Sequence, residues 1–400
     1  MKVALLTYHY GYNEGTLLQA YAAQQLLMRA FPGAEVRIID WRYPPKELVA
    51  FHPPRTLQEK ALRDFFDERL VLSGETIRSE SPDPAFSNLK KNFDLAVVGS
   101  DEVWRLDYHI SRRWLLPSHR QENMWAPPFP NIYWPNAKRL GLPCVSMASS
   151  ISENDGVATI PNSAKQELRE ALKSFSLLGV RDERTSNFIK TLCGQPAPVC
   201  EWVPDPSFAL PVGELGGRQR FADRLRANGV DARQPVALII SRNNTTQLEQ
   251  IVKHCKQAGF CLVSLTKSQP EMNLDFSGQD IGPFEWAEAA ASAKLVVTDR
   301  FHASLFAIRN QVPVIALDPC KQFTGTDGKI RDLFKRYGLR NYWLQGYENM
   351  SVHRDWIDEC INPDNWPRKN IAELTLRFQS VLTQFATQRL PEVVGGKCNC

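Results

Sequence analysis

Short apolar runs alternate with stretches of helical spacing along most of the chain, and the alternation occurs twice. Residues 3–8 read as a buried strand. Residues 16–30 follow with Leu17, Leu18, Tyr21, Ala22, Leu26 and Leu27 at helical spacing. Strands are expected next at 35–40, 93–98, 144–148 and 177–180, with helices at 57–72 and 163–174 between them. A polar, glycine-containing stretch over 201–217 interrupts the pattern. It then resumes with strands at 236–240, 260–265, 295–298 and 312–317 and helices at 247–258, 285–293 and 303–310. Short apolar strands separated by helices require a parallel sheet covered on both faces. Two such units in tandem face each other across a cleft lined by the carboxyl ends of their strands.

The expected division is an N-terminal domain over 1–205, a C-terminal domain over 206–345, and a helical extension over 346–400 that packs back across both. Residues 41–55, rich in proline and aromatics, read as loop. The proline-rich stretch 105–140 reads as a long irregular insertion. At 400 residues, the chain suits two domains better than one. A net charge of +4 is too weak a bias to hold a polyanion, so nucleic acid is not implied. No apolar run reaches the roughly 18 residues of a membrane-spanning helix. The apolar start is too short for a secretory signal. Nine scattered cysteines point to reduced thiols and a cytoplasmic location. Cys398 and Cys400 lack a partnering pair at metal-site spacing, so no metal is expected.

Four strand ends carry candidate chemistry. The strand at 295–298 runs into Asp299-Arg300-Phe301-His302 just where a helix begins. Backbone N–H groups there favour anions, Arg300 adds a fork suited to carboxylate or phosphate, and His302 exchanges protons near neutral pH. The structural alternative is Asp299 capping the helix with Arg300 paired to it. After the first strand, His9-Tyr10-Gly11-Tyr12-Asn13-Glu14-Gly15-Thr16 places two glycines and Asn13 at a helix start. It is neither a Walker loop nor a dinucleotide fingerprint. Gly99-Ser100-Asp101-Glu102-Val103-Trp104 puts two carboxylates at a strand end. There Asp101 could act as base or hold sugar hydroxyls, and Trp104 could stack on a pyranose or simply be buried. Trp114, Trp125 and Trp134 are further aromatics of that stretch. Gly179-Val180-Arg181-Asp182-Glu183 offers an arginine that an Arg–Asp surface pair would equally explain.

In their order, these segments resemble the polysaccharide pyruvyl transferase family. The resemblance is carried by Gly15-Thr16-Leu17-Leu18-Gln19-Ala20-Tyr21-Ala22, Gly99-Ser100-Asp101-Glu102-Val103-Trp104, residues 145–152, Val180-Arg181-Asp182, Val203-Pro204-Asp205-Pro206-Ser207-Phe208 and residues 298–308. It spans roughly residues 2–320, and Ser152 stands where family members often have glycine. It implies two Rossmann-like domains in a GT-B-like arrangement, with phosphoenolpyruvate as donor substrate and no separate cofactor. Arg181 and Arg300 would hold the donor's carboxylate and phosphate, beside Phe301 and His302. His302 would either move a proton or only bind phosphate, two roles the sequence does not separate, and Asp101 would face the acceptor. Asn13, Gly15, Thr16, Ser100 and Trp104 complete the implied substrate site. The acceptor would be a sugar, free or lipid-linked, and a homo-oligomer is compatible with the resemblance. The competing readings are a nucleotide-sugar glycosyltransferase or epimerase, with Glu285 or Asp318 on a ribose, and an inactive glycan-binding relative.

Overall fold

The computed structural model describes residues 1–113, 116–121, 126–152, 155–318, 328–345 and 352–395. Trp114, Trp125, Cys398 and Cys400 lie outside the described residues. The first half contains β1 (Lys2–Leu6), α1 (Glu14–Ala30), β2 (Glu35–Ile38), α2 (Pro44–Ala50), α3 (Leu57–Arg69), β3 (Leu95–Val98), β4 (Cys144–Ser149), β5 (Leu177–Val180) and β6 (Cys200–Trp202). Its six-stranded sheet is all parallel, in the order β6-β5-β4-β3-β1-β2. Alternate residues supply the two faces. Val3 and Leu5 enter one apolar cluster and Ala4 and Leu6 the other, which is why the strands read as unbroken apolar runs.

The second half contains α4 (Gly217–Ala227), β7 (Val236–Ile240), β8 (Cys261–Ser264), β9 (Leu274–Asp275), α5 (Pro283–Ala289), β10 (Leu295–Thr298), α6 (Phe301–Arg309), β11 (Val314–Asp318), α7 (Lys329–Arg336) and β12 (Trp343–Gln345). Its strand order is β9-β8-β7-β10-β11-β12, again parallel. The protein therefore has two doubly wound, Rossmann-like sheets. Each reverses strand order at one point, between β1 and β3 and between β7 and β10. The long helix α8 (Arg368–Gln384) returns to the first half, with Phe378 against Trp202 and Gln379 donating to the Phe208 carbonyl at 3.0 Å. Among the described residues no helix is long and apolar enough to cross a membrane.

Three segments differ from the sequence reading. Residues 44–50 form α2 rather than loop, because its prolines occupy the first helical turn, where their missing N–H groups have no helical acceptor. Part of the 105–140 insertion is an antiparallel hairpin of Tyr108–Arg113 with Leu116–Gln121. Residues 217–227, for which the sequence offers no element, form α4 with only Phe221, Leu225 and Gly217 buried.

Candidate functional site

Both reversal points open onto one cavity of about 650 Å³. Tyr8, Tyr10, Gly11, Tyr12 and Asn13 reach it from the end of β1, and Asp101, Glu102 and Arg105 from the end of β3. Arg242 and Asn243 come from the end of β7, and Asp299 to His302 from the end of β10. Ser152, Arg181, Lys46 and Lys329 complete much of the wall.

The two halves meet helix start to helix start. Asn13 caps α1, its Oδ1 accepting from the N–H groups of Gly15 (3.1 Å) and Thr16 (3.3 Å). That same oxygen accepts from Arg300 Nη2 at 2.8 Å, and Glu14 accepts from Arg300 Nη1 at 3.2 Å. Arg300 is also the N-cap residue of α6, and its side chain caps nothing there. Among the described residues no side chain caps the first N–H groups of α6, and an uncapped helix start favours an anion. Gly15 makes room for His302, since a Cβ at that position would overlap the imidazole Nδ1.

Asp205 ties this corner together. Fully buried, it accepts from Arg181 Nη1 at 3.0 Å and lies 3.6 Å from His302 Nε2. Burial alone would push its carboxyl up, but the neighbouring His302 and Arg181 hold it well below the usual carboxylate range. Arg181 Nη2 also donates to Ser150 Oγ at 2.6 Å, and its guanidinium stands 4.8 Å from the Phe301 ring centre. Burial disfavours its charge, yet Asp205 and Asp101 outweigh that and raise its pKa. The alternative reading of Arg181 as half of a surface pair with Asp182 does not hold, since it is buried against Asp205 and Ser150. Asp182 instead caps the following helix through Thr185 N at 2.8 Å.

The capping role considered for Asp299 is also absent. Its carboxylate accepts from the N–H groups of Arg242 and Asn243 and from Asn243 Nδ2 at 2.8 Å, fastening the two strand-end loops together. This brings Arg242 beside Arg300. The like charge of Arg300, followed by desolvation, lowers the Arg242 pKa to about 10. Among the described residues no acceptor pairs with the Arg242 guanidinium. Two arginines held together with one unpaired is an arrangement that an anion relieves.

On the first-half wall, Asp101 adopts φ 76°, a left-handed conformation in which Asp is tolerated. Its Oδ1 accepts from Glu102 N at 2.9 Å, its Oδ2 lies 3.4 Å from Thr16 Oγ1, and Arg181 Nη1 is 3.9 Å from Oδ1. Ser100 and Trp104 do not line the cavity. Ser100 is fully buried, with its hydroxyl donating to Gln19. Trp104 is 0% exposed, donates to the Tyr133 carbonyl at 2.8 Å and stacks on Trp134, so no sugar can reach its face. Of the residues picked from sequence, Asn13, Thr16, Asp101, Arg181, Arg300, Phe301 and His302 gather on the cavity, with Gly15 directly behind His302.

Sequence reading missed Arg242, Lys46, Arg105 and Lys329. The signal for Arg242 was present, since it sits two residues beyond an expected strand at a carboxyl end. Lys46 had no such signal, because its helix had been read as loop. Lys329 reaches across from α7 to Glu102 at 2.8 Å. Lys329, followed by Arg105, holds the Glu102 carboxyl low against the burial that would raise it.

Two facing Rossmann-like sheets with a cation-rich crevice define a protein of GT-B fold. Solved structures of low identity share that architecture. The UDP-GlcNAc 2-epimerase of Neisseria meningitidis, solved bound to UDP-GlcNAc, matches with a TM-score of 0.53 at 10% identity, covering 99% of this chain and 100% of that one. The Methanocaldococcus jannaschii epimerase gives 0.52 at 11% identity over 94% and 100% of the two chains. Spinosyn forosaminyltransferase gives 0.51 at 12% identity over 99% of each. No curated protein matches the chain in sequence. Residues 15–321 match the family described as polysaccharide pyruvyl transferase, and the chain belongs to that family.

Proposed function

We propose that the protein is a cytosolic enzyme that moves the pyruvyl group of phosphoenolpyruvate onto a sugar of a polysaccharide or glycolipid precursor, forming a ketal and releasing phosphate. One observation carries this reading: Arg242, Arg300, His302 and the uncapped start of α6 converge on one cavity, with Arg181 fixed behind them through Asp205. The donor carries close to three negative charges, and each charge-assisted contact contributes roughly 1.5–3 kcal/mol. Arg300 keeps donors beyond the two it gives to Asn13 and Glu14, and Arg242 brings a whole guanidinium.

In the proposed reaction, an acceptor hydroxyl adds to C2 of the donor while C3 gains a proton, for which His302 is the candidate source. A second hydroxyl of the same sugar then displaces phosphate and closes the ketal. The family membership supports transferase activity, and the cavity chemistry supports this donor.

The nucleotide-sugar alternative needs a carboxylate for the ribose. Glu285 is held by Arg224 at 2.9 Å beside a separate cavity, and Asp318 does not line the cleft. Neither stands where that reading requires. Phosphate release from phosphoenolpyruvate, compared with UDP release from sugar nucleotides over one panel of acceptors, tests the proposal. UDP release alone would reject it.

A further inference from the structure

The first-half wall of the cavity holds a lysine that meets aromatic rings but no carboxylate among the described residues. Lys46 lies on α2 and is only 9% exposed, yet it lines the cavity. Its ammonium stands 3.7 Å from the ring centre of Tyr8 and 5.2 Å from that of Tyr10. Among the described residues it has neither a hydrogen-bond acceptor nor an ion-pair partner. The hydroxyl of Tyr8, beneath it, is buried and also without a hydrogen-bond partner. A buried lysine normally carries a carboxylate with it. Here Asp101 acts on it only at longer range and Arg105 opposes it. His52, Glu59 and Glu102 are the other titratable groups on this part of the wall.

We infer that Lys46 is the base that takes the proton of the attacking acceptor hydroxyl, with the Tyr8 ring holding its amine at the cavity wall. The inference rests on the pyruvyl-transfer reading and adds the acceptor side to it. In the step, the hydroxyl O–H bond breaks, its proton passes to the neutral amine of Lys46, and the oxygen bonds C2 of phosphoenolpyruvate. C3 gains the proton delivered by His302. Two features favour Lys46 over Asp101. Both Asp101 oxygens already accept hydrogen bonds and one faces Arg181, whereas the amine of Lys46 has no hydrogen-bond acceptor among the described residues. Desolvation also lowers the Lys46 pKa to about 8, so a useful fraction is neutral near physiological pH.

Lys46→Arg separates this role from a purely cationic one, because guanidinium keeps the charge and the ring contact but does not deprotonate. Lys46→Met removes both. Turnover with phosphoenolpyruvate and an accepted sugar is expected to fall roughly 10²–10⁴-fold in both variants. Binding of phosphoenolpyruvate, measured by calorimetry without acceptor, should stay within a factor of a few. In the wild type, kcat/KM for the acceptor should rise with pH through about 8, and that limb should vanish in both variants. As a check independent of any variant's folding, amine-specific labelling of the intact protein, read by mass spectrometry across pH, should reach half-reaction at Lys46 near 8. An arginine variant with wild-type rate and pH profile overturns the inference while leaving pyruvyl transfer standing, as does a Lys46 that labels only near the ordinary lysine range. A wild-type protein that consumes no phosphoenolpyruvate removes both.

Discussion

Arg300 is asked to do two things at once, and its chemistry explains why lysine would not serve. Its fork reaches Asn13 and Glu14 from the opposite half while keeping further donors for the cavity. Arg300→Lys is therefore expected to raise KM for phosphoenolpyruvate at least tenfold, and Arg242→Ala by roughly ten- to hundredfold, as steady-state kinetics would show. Lys46 carries a cost that the fold bears. Its pKa is about 8 in the folded protein against 10.5 for a free lysine, so the folded state binds fewer protons between those values. The cost is absent above the unfolded pKa, grows as pH falls from 10.5 and is fully present below about 8. Lys46→Met should raise the unfolding free energy at pH 7 by up to about 3 kcal/mol and flatten its rise between pH 8 and 10.5, measured by denaturant titration. Greater stability with lost turnover would mark a group kept for function.

At the scale of elements, the legible features were those written as apolar periodicity. Strands such as 295–298 were readable because both their faces are buried, and α1 because its apolar residues recur at helical spacing. What escaped were helices whose start signals lie elsewhere in space. The capping residue of α4 is Gly216, which has no side chain to offer. Glu288, 0% exposed on α5, supplies the acceptors instead, receiving Gly217 N (2.7 Å) and Arg218 N (3.0 Å) besides Leu215 N (3.0 Å) and Gly213 N. No local rule reveals a cap donated from some seventy residues away. Glu288→Ala should cost about 3 kcal/mol or more in a denaturant melt, since four backbone donors lose their acceptor. The start of α1 makes a different kind of test. Gly15→Ala would displace the His302 ring, so turnover should drop at least tenfold with little change in unfolding midpoint. An unchanged rate would show that the ring's position does not matter.

For the whole molecule, topology explains why residues nearly three hundred positions apart share a site. Each sheet reverses at one point, and the loops leaving those points carry the cavity wall. A continuous apolar cluster runs from Val3 and Leu17 into Ala237 and Leu295, so the halves are packed as well as bridged. Across the cleft, Arg300 meets Glu14, Lys329 meets Glu102, and Gln58 exchanges hydrogen bonds with the Gly278 backbone. The general cleft was legible because parallel sheets dictate where strand ends point. The inward burial of Trp104 was not, because a strand-end tryptophan reads alike whether it faces ligand or core. The most direct measurement follows the donor's second carbon, isotopically labelled, by NMR while the protein is incubated with phosphoenolpyruvate and a panel of glycans. The predicted result is conversion of the enol carbon signal into a ketal signal on a sugar, with phosphate released in equal amount, and neither change with His302→Ala. An unaltered enol signal with every glycan, while the protein remains folded, would contradict it.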